Sequence, residues 1–580
     1  MGDDKRRIHV CQLAVCLFTL MSNSYEKQTG RDAATHEGSP GDTALHRTFS
    51  PVRHTNVSTD SQGQQRDRTE CEEEKVETPF SSVEIAFVNH LVGRGLLARR
   101  SFKKGEVICN DAEPLVAAQH IYSERCSWTC ERCFTFLGNL RDQAELILSN
   151  DPSDLVKRSR RIRENLELLT DDFLQREGLC LARPIPCDRK CGVVYCSEEH
   201  KKLGQTEGPH RLLCVEATKR MQRAWRAFAS HSRKFSENFL LAGRAYAQIL
   251  VHVLYGQKSV EEATTPFCGF FCRRWEELGA GEVPREEAGE PRELRSLSGR
   301  RQTLEESFSL LCRVFLAPDV LGESAWTPAN GACGEERRQL LQEKWRKLFS
   351  LDFYSELLGT FELVNVDIEF DSPLNARVAS ALSLRPCKAL LRLVKKVVAC
   401  EDVIDAESLE AGARGALDCD SNSEDMEEWK TLVEDLLPPF LGVGLFRAVS
   451  MTNHSCWPNA EVDYPFLTNA AQVTALRDIA EKEEILLSYI DESLPLAERQ
   501  RLLKSHYKFT CGCQRCQVEA AATLLARRGA LPTEKAGALD AIAGATGLSP
   551  SLVDEVLSFI AACSNSEEPH AAESVSGIPS

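Results

Sequence analysis

Polar and apolar positions along the chain divide it into unlike stretches. Past an apolar run at Ile8 to Met21, residues to about 80 are rich in Ser, Thr, Gln, Asp and Arg without apolar period, and Gly38 to Glu74 reads as disordered. Alternation begins at Val83-Glu84-Ile85-Ala86-Phe87-Val88, turns at Gly93-Arg94-Gly95, resumes at Leu96-Leu97-Ala98, turns at Lys104-Gly105 and closes with Val107-Ile108-Cys109. That pattern predicts a three-stranded β-meander around two glycine turns. Helical spacing follows over Arg211 to Gly256 (Leu212, Leu213, Val215, Phe239, Leu240, Ala247, Leu250, Val251, Leu254), and again over Leu304 to Leu316 and Glu335 to Leu358. Gly279 to Arg301, rich in Glu, Arg, Gly and Pro, reads as a mobile loop. The stretch Ile485 to Tyr489 reads as a strand. After residue 517 the chain is Ala-rich with amphipathic pieces such as Ser551 to Ile560, and shows no 34-residue repeat.

Length and charge narrow the class. The 580 residues exceed one compact core, and the hydrophobic share of 42% with a charged share of 27% is that of a globular protein. A net charge of −16 speaks against general nucleic-acid binding and suits a basic partner. Lys157-Arg158-Ser159-Arg160-Arg161 fits one solvated helix face better than a nuclear address or a nucleic-acid patch. Residues 401 to 435 carry 13 acidic side chains against two basic ones and read as an exposed insertion. Lys5-Arg6-Arg7 and the apolar run have the outline of a signal peptide, but His9, Gln12 and Thr19 interrupt the run and no small-residue cleavage site follows. The run is too short to span a bilayer, so no membrane association is expected.

The 24 cysteines supply the candidate chemistry. Between Cys130 and Cys214, eight ligands fall in four pairs: Cys130 and Cys133, Cys187 and Cys191, Cys196 and His200, His210 and Cys214. Closely spaced pairs each give zinc two donors from one turn or helix end, and such spacing suits zinc better than a disulfide framework. Cys126 and Cys180 are alternative donors for the first pair. Cys511, Cys513 and Cys516 crowd three thiols into six residues and need a fourth donor. Thiolate sites suit a reducing compartment, hence nucleus or cytoplasm and a disordered start in place of a leader.

The four pairs, with Tyr195-Cys196-Ser197, resemble the MYND zinc finger. That resemblance implies interleaved sites, one of Cys130, Cys133, Cys196 and His200 and one of Cys187, Cys191, His210 and Cys214. His200 stands where the family usually has Cys, and the gap after Cys133 is some fifty residues where about ten is usual. Asn453-His454-Ser455-Cys456-Trp457-Pro458-Asn459, then Glu483-Glu484-Ile485-Leu486-Leu487-Ser488-Tyr489, then the cysteine triplet, resemble the carboxyl half of a SET domain. Together the motifs resemble the SET-and-MYND lysine methyltransferases. Leu358-Gly359-Thr360-Phe361-Glu362-Leu363 and Ser488 to Pro495, with Glu498-Arg499-Gln500, look especially like the plant trithorax-related members with a split finger.

The resemblance covers roughly residues 84 to 516 and implies an α+β fold: a SET-domain β-fold with a pseudo-knot, an inserted MYND finger, a helical insertion, a zinc-bound post-SET segment and a short helical C-terminus. The expected layout is a disordered 1–80, SET strands at 81–129, the finger at 130–214 with an insertion at 134–186, a helical insertion at 215–440, the SET core at 441–491, a post-SET segment at 492–516 and a tail at 517–580. Carried over residue by residue, Gly93, Arg94 and Gly95 meet the methionine end of S-adenosylmethionine, and Asn453 and His454 hold its adenosine. Asn365 is a further cofactor contact. Tyr489 and Tyr507 are the catalytic aromatics, and Phe509 stacks on the cofactor. Cys456 completes a third zinc site with Cys511, Cys513 and Cys516. Lys482, where a Gly is usual, and Trp457, where a smaller residue is usual, depart from the pattern without removing a chemical group. The implied activity is transfer of methyl from S-adenosylmethionine to a lysine of a histone tail or another basic protein, with about three structural zinc ions and protein partners for the finger. The alternative is an inactive SET/MYND scaffold.

Overall fold

The computed structural model describes residues 80–90, 92–149, 166–214, 219–278, 294, 296–316, 345–381, 384, 386–387, 390, 433 and 436–565. Every described residue belongs to one unit, Glu77–Ser580. The apolar amino-terminal run, the Lys157 to Arg161 run and nearly all of the acidic stretch at 401–435 lie outside the described residues. No helix among the described residues is long and apolar enough to cross a membrane.

Four small sheets stand among the described residues, the smallest pairing β5 (Ile185–Pro186) with β6 (Val194–Tyr195). Strands β1 (Val83–Asn89) and β2 (Gly93–Ala98) form the predicted hairpin, with Val83 opposite Ala98. The meander stops there. Strand β3 (Val107–Asp111) does not return to β2, because β12 (Glu484–Leu487) takes that edge, pairing Glu484 with Leu97 and Ile485 with Leu96. The bend at Gly105 (φ +81) sends β3 to β11 (Ala471–Ala475), which also pairs with β10 (Ala460–Asp463). A third sheet orders β4 (Val116–Gln119), β8 (Phe440–Leu445) and β7 (Val366–Phe370). Strand β9 (Asn453–His454) is the far edge of the first sheet, parallel to β12. Strand β12 ends at Leu487, so Tyr489 lies just past the strand, not within it as its sequence suggested. Val83, Leu96, Ile108, Phe370, Phe440, Val473 and Ile485 share one core, so the separate sheets close on the same apolar volume.

The helical insertion has its own core. Its long periodic run breaks where Ser236 caps a new helix with a hydrogen bond from Asn238 N at 3.3 Å, separating α1 (Lys219–Phe235) from α2 (Glu237–Leu254). Helix α2 is apolar nearly all round and sits at the centre of the insertion. Helix α3 (Leu297–Phe315) starts inside the stretch predicted as a loop. Arg300 explains the difference: its guanidinium lies 4.1 Å from the Trp275 ring centroid and donates to Trp275 O at 3.1 Å, so a charge that reads as exposed is buried. Helix α4 (Leu351–Val364) begins at the Ser350 cap and runs past Leu358, so the predicted helix ending there breaks at 350 and continues to 364.

The carboxyl end is more than a short tail. Helix α5 (Leu496–His506) precedes the cysteine triplet, and α6 (Gln514–Arg527) starts within it. Two further helices, α7 (Lys535–Thr546) and α8 (Pro550–Asn565), pack back on α6 through Val518, Ile542, Val553 and Val556.

Candidate methyl-transfer site and zinc centres

Strand β9 is only two residues long, yet the turn after it is held firmly. Leu486 pairs with Asn453 and Leu487 with His454. Beyond the strand, Ser455 N donates to Leu487 O at 2.8 Å. Asn459, fully buried, continues the ladder with its side chain: Oδ1 accepts from Leu486 N at 2.7 Å and Nδ2 donates to Glu484 O at 2.8 Å. One buried amide thus stands in for a strand residue. From below, the buried carboxylate of Asp111 accepts from Ala448 N at 2.7 Å and Val449 N at 3.3 Å, fixing the short helical turn that leads into Asn453. Sequence reasoning gave no role to Asn459 or Asp111; the second Asn of the motif was the only signal.

Asn453 ties three strands together. Its Nδ2 donates to Arg94 O at 3.0 Å and to Glu484 Oε1 at 2.7 Å, leaving Oδ1 as its free polar atom. Gly95 makes this possible, since a Cβ there would lie 2.5 Å from Glu484 Oε1 and 2.9 Å from Asn453 Nδ2. Gly93 serves differently, taking φ +77 at the hairpin turn. Glu484 is partly desolvated, which pushes its carboxyl above the usual range, while the Asn453 amide pulls it back.

The aromatics gather on the other side of the turn. Tyr489 N donates to His454 Nδ1 at 3.0 Å, and the Tyr489 hydroxyl donates to Thr452 O. The Tyr489 and Tyr507 rings lie 4.9 Å apart, the Tyr507 hydroxyl donates to Tyr489 O at 3.3 Å, and Phe509 stands 5.9 Å from the His454 ring. Helix α5 presents this pair. It caps at Tyr507, and Lys508 takes a left-handed φ of +63 before Phe509. Burial, then the neighbouring Tyr507 and Glu484, hold the Tyr489 phenol well above its ordinary pKa, and burial with Asp367 pushes Tyr507 up to about 12. Both hydroxyls therefore stay protonated at neutral pH. Asn365 is the C-cap of α4, and its Nδ2 donates to Asn238 Oδ1 at 3.1 Å.

The twelve predicted metal ligands assemble into three sets: Cys130, Cys133, Cys196 and His200; Cys187, Cys191, His210 and Cys214; and Cys456, Cys511, Cys513 and Cys516. Tetrahedral zinc with ordinary bond lengths sets ligand edges of about 3.8 Å between sulfurs and about 3.5 Å between sulfur and nitrogen. The structure gives 3.8 Å for Cys133 to Cys196, 3.4 Å for Cys187 to His210 Nε2 and 3.6 Å for Cys456 to Cys516. The donor sets fit zinc, and four protein ligands each leave no open position for catalysis. Cys126 and Cys180, the alternative donors for the first pair, belong to none of the three sets. The fifty-residue gap after Cys133 does not separate the pairs, because Glu131 N donates to Val194 O at 3.0 Å beside Cys196.

Around the third set, Arg499 and Arg515, both almost wholly buried, share Glu519, and Gln500 Nε2 donates to Cys516 Sγ at 3.3 Å. Buried guanidiniums beside these four sulfurs would offset the charge of thiolates holding a metal. Tyr489, Tyr507 and Phe509 pack on this same cluster, so the aromatics and the thiols form one unit.

A fold built on these short sheets around a half-buried Asn-His turn, with a tyrosine beside it, is a SET domain, and the SET-domain family matches residues 321–490. Protein-lysine N-trimethyltransferase SMYD5 of Homo sapiens is 26% identical over 456 residues, covering 76% of this chain and 87% of that protein. Histone-lysine N-methyltransferase ATXR2 of Arabidopsis thaliana is 24% identical over 493 residues, covering 74% of this chain and 89% of that protein. N-lysine methyltransferase SMYD2 of Homo sapiens is 40% identical over 84 residues, 14% of this chain and 19% of that protein. Over about three quarters of its length the chain is similar to SET-and-MYND methyltransferases.

Proposed function

We propose that the protein is a protein-lysine N-methyltransferase that acts on a histone tail or another basic protein. The observation that carries this reading is the convergence of Asn453, Gly95, Tyr489, Tyr507 and Phe509 on one turn, beside a set of four thiols that fits zinc. S-adenosylmethionine, when bound, supplies the electrophilic methyl group on its sulfonium. The close backbone approach at Gly95 suits its methionine end, and the Oδ1 of Asn453, with His454 and Phe509, suits the adenosine. Asn365 is a further contact in this reading.

The lysine amine has to arrive neutral, and burial beside a cation favours loss of its proton. Tyr489 and Tyr507 are too weakly acidic to be phenolates, so they orient the amine and leave its proton to water. With the hydroxyl proton of Tyr489 held by Thr452 O, the lone pairs of its oxygen are what it offers the reacting group. Positioning is then the main contribution of the chain. The net charge of −16 favours a basic substrate, and three thiol-rich sets suit nucleus or cytoplasm.

Incubation of the purified chain with labelled S-adenosylmethionine and either core histones or a whole extract, read by mass spectrometry, tests this. Methylated lysine is the expected product. Absence of S-adenosylmethionine uptake by calorimetry in zinc-loaded protein overturns the reading and leaves an inactive scaffold.

A further inference from the structure

We infer that Trp457 is a positioning residue, through which the carboxyl-terminal helices clamp the Asn453–Asn459 turn by a route separate from the zinc thiolates. The inference rests on the reading of that turn as the cofactor seat, and it gives a role both to an unusual residue and to the chain after Cys516.

Helix α6 grips the turn three times within about one helical turn. Arg515 donates to Cys456 O at 3.1 Å, Cys516 Sγ stands 3.6 Å from Cys456 Sγ, and Val518 packs in the cluster that takes the Trp457 ring. Among the described residues, Trp457 is the one buried member of that cluster from outside the carboxyl-terminal helices; the others are Val518, Ile542, Ala543, Val553 and Val556. A unit of three short helices buries too little apolar surface to be stable alone. A tryptophan lent by the SET core fills that deficit, so helices and turn hold each other.

The contact continues past the indole. The Arg477 guanidinium lies 5.0 Å from the Trp457 ring centroid and pairs with Glu483 Oε1 at 3.0 Å. The same Glu483 oxygen accepts from Asn459 Nδ2 at 3.2 Å. Ser455 Oγ donates to Trp457 O at 3.0 Å and accepts from Trp457 N at 3.1 Å, which fixes the indole to the backbone it supports. On the far side, Arg515 reaches the Phe559 ring of α8 at 5.4 Å. A chain of packed groups thus runs from α8 to the ladder between Asn459 and Leu486. Trp457, Arg477, Glu483, Arg515, Val518 and Phe559 lie outside the ligand sets; only Cys456 and Cys516 belong to one.

The test uses the full chain with zinc bound. Amide exchange at Ser455 and Asn459, which donate to Leu487 O and Leu486 O, reports the clamp without any cofactor. Trp457→Ala and, remotely, Val553→Asp each speed that exchange about tenfold while zinc content stays at the wild-type value, and Trp457→Phe stays within about twofold. Where wild-type protein binds S-adenosylmethionine, Trp457→Ala also raises its Kd about tenfold. Unchanged exchange in Trp457→Ala, or exchange that rises only together with loss of zinc, overturns the inference. A wild-type chain that binds no S-adenosylmethionine overturns the functional reading instead, and the exchange result still decides the clamp.

Discussion

Tyr489 donates its backbone N–H to Nδ1 of His454 at 3.0 Å, and the opposite nitrogen of the same ring faces Cys456 Sγ at 3.2 Å. With Nδ1 an acceptor, a neutral imidazole carries its proton on Nε2 and donates it to the sulfur. The side chain of His454 therefore joins the main chain of Tyr489 to a sulfur of the third ligand set. Support of this kind from a neighbour of the ligand set is how metal sites orient what surrounds them.

Because that link holds the Tyr489 backbone, the phenol can be trimmed without moving its surroundings. Tyr489→Phe removes only the hydroxyl bonded to Thr452 O. Turnover is expected to fall about 100-fold while S-adenosylmethionine binding stays within about twofold, the signature of a group that acts on the reacting amine. Steady-state kinetics with calorimetry on the same protein checks this, and equal turnover in mutant and wild type contradicts the role.

The zinc link gives a second expectation. Cys456→Ser removes one corner of the third ligand set and the partner of His454 Nε2. Metal analysis should return two zinc equivalents per chain in the mutant against three in wild type. S-adenosylmethionine affinity should drop about tenfold or more although Cys456 belongs to the metal set, since Asn453 and Tyr489 flank the loosened segment. Affinity that survives the loss of zinc would separate metal from cofactor.

These relations were legible in the sequence to different degrees. Ligand spacing is local, and the pairs from Cys130 to Cys214 and the triplet from Cys511 stood out because short gaps alone bring two donors together. The hairpin at Gly93 was equally local. Partners of β3 were not, because the edge of β2 is claimed by β12, nearly four hundred residues on, and no period in the chain encodes that competition. Arg300 misled because burial of a guanidinium against Trp275 leaves a polar residue in a polar-looking stretch. The start of α6 inside the cysteine triplet was hidden by the same cysteines, whose spacing spoke for metal and masked the helix they share.

Two glycines two residues apart should respond differently to the same methyl group. At Gly95 the added Cβ meets Glu484 Oε1 at 2.5 Å, Asn453 Nδ2 at 2.9 Å and Val88 Cγ2 at 2.9 Å. Gly95→Ala must displace the Asn453 amide, so S-adenosylmethionine affinity should fall about tenfold or more. Gly93→Ala meets nothing within 4 Å but is held at φ +77, so it costs about 1 kcal/mol of stability through the backbone alone and leaves the Asn453 hydrogen bonds in place. Paired urea melts and calorimetric titrations distinguish the two.

Lys482 occupies a turn closed by Glu483 N donating to Ala480 O at 3.1 Å, with φ +67 at the third position. That is a glycine conformation carried by a lysine. Relief of left-handed strain of about 1 kcal/mol or more, less the greater backbone entropy glycine loses on folding, leaves a net gain of about 0.5 kcal/mol for Lys482→Gly. The urea midpoint should rise at unchanged slope. A fall would mean that the lysine side chain contributes packing that offsets its strain.

Asn459 is the most exacting of these positions. Its side chain accepts from Leu486 N at 2.7 Å and donates to Glu484 O at 2.8 Å and to Glu483 Oε1 at 3.2 Å, and its own N–H reaches Leu486 O at 3.2 Å. Asn459→Ala keeps the last of these and removes the other three, leaving the Leu486 N–H without its partner in a site closed to solvent. An unsatisfied buried group of this kind costs about 1–3 kcal/mol, and the lost side-chain volume adds to it. Asn459→Asp restores the acceptor for Leu486 N but not the donor, and it brings a charge beside the Glu483 carboxylate, so it should be at least as damaging at neutral pH and recover as pH falls and the new carboxyl protonates. Urea unfolding of both variants between pH 5 and 8 checks this. An alanine variant as stable as wild type would show that the parallel pairing of Asn453 and His454 with Leu486 and Leu487 holds the turn without this amide.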